Sequence, residues 1–216
     1  MRKTSFANGE FYHIFNRGTD KRTIFSDKSD LERFTLCMSE FNSTKPIGSL
    51  YENTFRDKLG VQDAKLRLVN IIAYCLNPNH FHMILEQKKD NGISKFLGKL
   101  AGGYVSYFNI RNKRTGSLFQ GPFKAKHVDS NKYLLHLSAY VNLNNKVHRL
   151  GVQDAKSSWE EYLEKANKSK KGICKKDIIL GQFKSIGEYK NFAENSLEDI
   201  LERKNLFQEL EKILLE

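Results

Sequence analysis

Between residues 71 and 85 the chain is almost continuously apolar. It reads Ile71-Ile72-Ala73-Tyr74-Cys75-Leu76 and then Phe81-His82-Met83-Ile84-Leu85, interrupted by Asn77-Pro78-Asn79. Two short apolar runs around a Pro/Asn turn predict two buried strands joined tightly. Upstream, residues 10–16 alternate well enough for a first strand, and the polar, basic stretch 17–22 follows as a turn. Leu31, Phe34, Thr35, Met38 and Phe41 recur near a 3.6-residue period behind a cap at Ser26 or Asp27, which predicts a helix. Gly92-Ile93 opens a second helix through Phe96, Leu97, Leu100, Tyr104, Tyr107 and Phe108. Residues 118–126 read as a short extended segment. Asp129-Ser130 caps a third helix that Gly151 can end. Its core stripe is Leu134, Leu137 and Val141. A second stripe joins Tyr133, His136, Tyr140, Asn144 and Val147. From about residue 157 the pattern is helical, rich in Glu, Lys and Leu, with a last helix over 197–215. Residues 43–66, with Pro46, Gly48 and Gly60, read as a loop or insertion.

The order strand, helix, strand, strand, helix, short strand, helix predicts an α+β fold: a ferredoxin-like antiparallel sheet with helices packed on one face. Residues 1–154 form the main domain and 155–216 a helical C-terminal extension. Strands two and three pair as neighbours, so the third strand lies centrally. Leu59-Gly60-Val61-Gln62-Asp63-Ala64-Lys65 recurs identically at 150–156. The copies fall in a loop and at a helix end, which argues against a solenoid repeat. A DNA repeat written twice into the gene would account for them.

Composition narrows the class. The 216 residues are 39% hydrophobic and 28% charged, as expected of a soluble globular protein. Cys37, Cys75 and Cys174 show no CxxC spacing, which argues against a zinc ribbon or disulfide framework and suits the reducing cytoplasm. No stretch has the roughly 20 apolar residues of a membrane span, and residues 1–10 lack an apolar signal region. The expected location is therefore cytoplasmic, with no membrane partner. The net charge of +11 is unevenly spread. Residues 1–154 hold 24 Lys and Arg against 13 Asp and Glu, whereas 155–216 hold 12 of each. Basic charge in one module points to a polyanion; general solubility is the competing explanation.

His80 and His82 stand two apart on the third strand, so both imidazoles project from one face. Two imidazoles on a rigid edge lack only a further ligand to hold a metal ion; an ordinary pair of hydrogen-bonded histidines is the alternative. Asn144 lies one helical turn beyond Tyr140 and shares its face. If that helix crosses the sheet, Asn144 can complete the ion's shell and Tyr140 sits beside it. A tyrosine hydroxyl, with an ordinary pKa of roughly 10, becomes a nucleophile toward a phosphodiester once a cation helps it ionise. A packed aromatic and a solvated amide are the plainer readings. Gln120 is a second amide candidate, and His136 reads as a surface residue.

Four segments occur in order: Tyr12-His13-Ile14-Phe15-Asn16-Arg17-Gly18, Tyr74-Cys75-Leu76-Asn77-Pro78-Asn79-His80-Phe81-His82, Gly116-Ser117-Leu118-Phe119-Gln120-Gly121 and Ala139-Tyr140-Val141-Asn142-Leu143-Asn144. Together they resemble the REP-associated tyrosine transposases, a branch of the single-tyrosine HUH transposases, over about residues 8–151. The resemblance implies a ferredoxin-like fold, Mg²⁺ or Mn²⁺, and cleavage of single-stranded DNA next to a short hairpin. It implies a 5′-phosphotyrosine link and a free 3′-OH. Carried over, His80 and His82 are the metal pair, Tyr140 the nucleophile, and Asn144 the asparagine of the Tyr-x-x-x-Asn element. This chain departs from the pattern with Asn77 for a methionine, Asn145 for a proline, and Pro122 for an arginine that Lys124 and Lys126 can replace.

Arg17, Lys21 and Arg22, a second cluster of Arg111, Lys113 and Arg114, and Gln120 with Lys124 are candidate DNA contacts; basic side chains there would neutralise phosphates without reading sequence. Solvated turns are the alternative. Tyr104, Tyr107 and Phe108 read as core rather than stacking platforms. The chain acts as a monomer or homodimer. Two other functions compete: a domesticated binder of structured DNA or RNA that does not cut, and a metal-dependent phosphodiesterase using water.

Overall fold

The computed structural model describes residues 4–46, 48, 50, 66–151, 154–164 and 172–213, with side chains to residue 202. Most of the expected 43–66 loop, the first copy of the repeated heptapeptide and the middle of the second lie outside the described residues. Strand β1 (Phe11–Arg17) is followed by α1 (Lys28–Glu40), β2 (Val69–Asn77), β3 (His80–Gln87), α2 (Gly92–Arg111) and β4 (Lys124–Val128). Next come α3 (Asn131–Asn142), the single turn α4 (Asn144–Val147), β5 (Lys156–Ser157), the short α5 (Trp159–Tyr162) and α6 (Asp177–Leu180), and the long α7 (Ile186–Ile213). The sheet runs β4-β1-β3-β2-β5, each neighbouring pair antiparallel. The first four strands have the ferredoxin-like order, and β3 is central, as expected.

The helices cover both faces of the sheet, not one. Every residue of β2 is buried, so neither side can face water. On one face Phe81, Met83 and Leu85 of β3 pack with Leu31, Phe34 and Met38 of α1 and with Ile93, Phe96, Leu100 and Tyr104 of α2. On the other, Ile84 packs with Leu134, Leu137 and Val141 of α3, and with Trp159, Tyr162, Ile179, Tyr189 and Ala193 from the residues after 154. The C-terminal segment thus completes a layer that the first 154 residues leave open.

Local chemistry explains the element ends. The Asp27 side chain accepts from the Asp30 amide at 3.1 Å and caps α1. Gly92 opens α2 where a Cβ would stand 2.3 Å from the Leu68 carbonyl oxygen. Ser185 caps α7, its Oγ accepting from the Glu188 amide, and the Glu188 carboxylate reaches one residue further back to accept from the Lys184 amide. This cap starts the helix at Ile186, well before the expected residue 197. The third helix breaks at Leu143 (φ −107°, ψ 12°) and its last turn ends at Val147, short of Gly151. Tyr104 and Phe108 are core, and the Tyr104 hydroxyl donates to the Ile24 carbonyl. Among the described residues no helix is long and apolar enough to cross a membrane.

Candidate active site

Asn77 and His80 face each other across the β2–β3 hairpin, with Pro78 and Asn79 as its two-residue turn. The turn is held from outside. The Pro78 carbonyl accepts from the amides of Ile24 (2.7 Å) and Phe25 (3.0 Å), and the Asn79 carbonyl from that of Gly18 (2.8 Å). Gly18 has to be glycine: a Cβ there would lie 2.2 Å from the Arg22 carbonyl oxygen. Antiparallel register then sets the face. Arg17 pairs with His80 and Phe15 with His82, while Phe15 and His13 pair with Lys124 and Lys126 of β4. Directly opposed residues share a side of the sheet, so these side chains surround the histidine pair.

Strand β2 joins this face through a bulge. Ile71 pairs with Leu85 and Ala73 with Ile84, leaving Ile72 as an extra residue. The alternation therefore changes phase. Ile71 faces α1 and α2, while Ala73 and Cys75 face the α3 layer, and Asn77 follows them beside His80.

Ser130 caps α3, accepting from the Tyr133 amide. With Leu134, Leu137 and Val141 buried, Tyr140 points over the histidine face. Its ring centre lies 5.6 Å from that of His82 and 6.4 Å from that of His13. The break at Leu143 turns Asn144 inward, fully buried, and its Oδ1 lies 3.4 Å from His80 Nε2. The residues expected to form the site, His80, His82, Tyr140 and Asn144, thus converge.

Hydrogen bonds assign the nitrogens. His80 Nδ1 lies 2.6 Å from Asn79 Oδ1, which can only accept, so Nδ1 carries the proton and Nε2 presents its lone pair. His82 Nδ1 shares one proton with His13 Nε2 at 2.9 Å. Burial lowers the pKa of all three rings. His82 falls to about 2, helped by His13, and His13 to about 4, helped by Lys126, while His80 is lowered by burial and by His148. All three rings are neutral at pH 7, the form that binds a metal. Burial raises the pKa of the Tyr140 phenol, and the nearby Asn144 amide opposes the shift. Asn144 Nδ2 is buried with no hydrogen-bond partner among the described residues.

A cleft of about 600 Å³ opens in front of His80 and His82, lined also by Arg17, Lys21, Gln120, Lys124 and His148. Four of the expected DNA contacts therefore lie beside the histidines, and Arg17 Nε donates to Gln120 Oε1. Arg22 pairs with Asp20 at 3.6 Å. Arg111 belongs elsewhere: its guanidinium joins Asp27 and Asp30 and ties α2 to α1. Arg114 donates to Asn109 Oδ1 and the Ser117 carbonyl, and Lys113 follows α2 in a left-handed conformation, φ 49°.

Sequence reasoning missed three members of the site. His13 sits in the first motif, yet its contact with His82 depends on register. Asn77 depends on the bulge. His148, one turn beyond Asn144, has its ring 4.8 Å from that of His80; its i+4 spacing from Asn144 was the available signal. Among the described residues, no three His, Cys, Asp or Glu side chains are grouped to hold a metal.

Residues 52–144 match the family model of the IS200-like transposases. This bears out the motif resemblance and supports a transposase role. The fold is similar to a structure of a REP-associated tyrosine transposase bound to a REP hairpin: TM-score 0.52, 11% sequence identity, 80% of this chain and 88% of that one covered. A search of curated proteins finds no match.

Proposed function

We propose that this protein is a metal-dependent single-stranded DNA transesterase that cleaves next to a hairpin. The Tyr140 oxygen attacks the scissile phosphorus, the 3′-oxygen leaves as a free 3′-OH, and the 5′-phosphate stays on Tyr140. The observation that carries this reading is the meeting of the Tyr140 ring and the Asn144 oxygen with two neutral imidazoles that line a basic cleft.

The amide oxygen suits Mg²⁺ or Mn²⁺, and the two imidazole nitrogens favour the softer of the two, Mn²⁺. His80 offers a lone pair, His82 is neutral, and Asn144 holds its buried oxygen 3.4 Å from His80 Nε2. Bound by His80, His82 and Asn144, Mg²⁺ or Mn²⁺ would supply charge stabilisation to the phosphoryl oxygens and to the ionising phenol. The chain's own groups do the rest. Burial keeps Tyr140 protonated until substrate arrives, and the Asn144 amide eases its ionisation. His13 orients His82 through the shared proton. Arg17, Lys21 and Lys124 offset backbone phosphates in the cleft, with Gln120 braced by Arg17. Hairpin DNA is the substrate class by extension from the fold-mate that binds one.

Incubating the protein with a hairpin-tailed oligonucleotide and Mg²⁺ or Mn²⁺ tests this. A covalent protein–DNA adduct is expected. It should vanish with EDTA and fall by on the order of 10⁴-fold or more in Tyr140→Phe. Undiminished adduct in that variant removes Tyr140 from the role. Cleaved DNA without adduct, unaffected by Tyr140→Phe, means a water-using phosphodiesterase. Binding without cleavage, indifferent to EDTA, means a non-cutting DNA- or RNA-binding protein.

A further inference from the structure

The transesterase reading gives Asn77 no task, and the resemblance puts a methionine at its position. Here it is fully buried at the corner of the hairpin. Its Nδ2 donates to His80 Nε2 at 2.9 Å and to Asn144 Oδ1 at 2.7 Å, and those two acceptors stand 3.4 Å apart. The three atoms form a triangle with sides of 2.9, 2.7 and 3.4 Å. Mg²⁺-like cations hold octahedral ligands at ~2.1 Å, which separates adjacent ligands by ~3.0 Å. The sides lie within about 0.4 Å of that spacing, with a donor nitrogen where a third acceptor would be.

A half-turn of the Asn77 amide about Cβ–Cγ exchanges its nitrogen for its oxygen, because the two ends of the group are nearly the same shape. The turn gives up the two hydrogen bonds of Nδ2, which ligation of a cation would replace; on the other side of the amide there is little to lose. Oδ1 now accepts from Cys75 Sγ at 3.4 Å, and a thiol is a weak donor that also accepts weakly. The neighbouring Asn144 belongs to the same hydrogen-bonded arrangement. It keeps its oxygen toward this point while its buried Nδ2 has no partner among the described residues. Its oxygen is held there by the Asn77 donor at 2.7 Å, and once the Asn77 amide turns, a cation between the two oxygens would take that donor's place.

Resting on the cation reading of His80, His82 and Asn144 above, we infer that Asn77 is a further oxygen ligand of the divalent cation. It is reached by turning its amide, which in the metal-free protein links His80 to Asn144. The turned side chain gives His80 Nε2, Asn144 Oδ1 and Asn77 Oδ1 as three adjacent ligands. The amide's present orientation also keeps the two acceptors close to their liganding separation.

Mn²⁺ binding to the full chain, without DNA, tests this by electron paramagnetic resonance of free Mn²⁺, with circular dichroism to confirm folding. Asn77→Leu, similar in size and without an oxygen, should weaken binding about ten- to a hundredfold. Asn77→Asp should tighten it about tenfold or more, because a carboxylate presents only acceptors and adds charge. Unchanged or tighter binding in Asn77→Leu overturns the inference, making the amide a bystander or a plug. If that variant does not fold, Asn77→Asp decides alone, and failure to tighten overturns it. His80→Ala separates the two claims. If it binds Mn²⁺ like the wild type, or the wild type binds none, the cation reading itself falls. If it abolishes binding while both Asn77 variants match the wild type, only the role of Asn77 falls.

Discussion

Phe81, Met83 and Leu85 on one side of β3 are sealed against α1 and α2, whereas His80 and His82 on the other side are only half-buried and look into a cleft. On the sealed side, position comes from close packing: Phe81 meets Phe34 and Phe119 with ring centres 5.5 and 5.8 Å apart. On the open side it comes from directed hydrogen bonds to Asn79 and His13. Adjacent residues of one strand are thus fixed by different forces. The dense face cannot shift without losing contacts, so it acts as the rigid support from which the polar face presents its lone pairs.

Truncating the support should have the largest effect on stability. Phe81→Ala is expected to cost about 3–5 kcal/mol in chemical denaturation, with Mn²⁺ affinity near normal in the molecules that stay folded. The opposite outcome, a stable protein with lost affinity, would show that the packed side does not hold the frame. On the polar side, His13→Ala removes a buried ring that hydrogen-bonds His82, so it should cost about 1–3 kcal/mol of stability and weaken Mn²⁺ binding about tenfold or more in the molecules that stay folded. His13→Gln, which can still hydrogen-bond, should recover part of the loss. Equal affinity in all three proteins would take His13 out of the site.

Lys124→Ala probes the rim of the cleft. It should weaken single-strand binding similarly for any sequence and lower the log–log salt slope by about one unit. An unchanged slope would mean that Lys124 touches no phosphate. The smallest expected change lies behind the sealed face. The Arg111 guanidinium, hydrogen-bonded to Asp27, lowers that carboxyl's pKa to about 2, below its ordinary ~4. A lowered carboxylate pKa stabilises the fold fully above ~4, and the contribution disappears as pH falls toward 2. In Arg111→Gln the unfolding midpoint should depend less on pH across that interval. An identical pH profile would exclude the pair from the balance.

Strands β1 to β3, the helices that follow β1 and β3, and the central place of β3 were legible because the periods of two and 3.6 are properties of the backbone itself. Two residues apart on a strand, His80 and His82 must share a side, and Tyr140 and Asn144, four apart, had to lie close along one helical face even with a break at Leu143. The Asp27 cap was readable for the same local reason. The covering of both faces was harder to see, because the tail's Glu- and Lys-rich helices hid the few residues, Tyr189 and Ala193 among them, that close the second layer.

Other features had no local signature. The bulge at Ile72 sets the side on which Asn77 lies, and it exists because β2 must pair with β3 and still satisfy two cores. His13 meets His82 only through the β1–β3 register, and Arg111, one basic residue among many in sequence, is claimed by two carboxylates more than 80 positions away. Periodicity is written into a few consecutive residues. Register, bulges and distant partners follow from long-range packing, and a linear pattern does not encode them one position at a time.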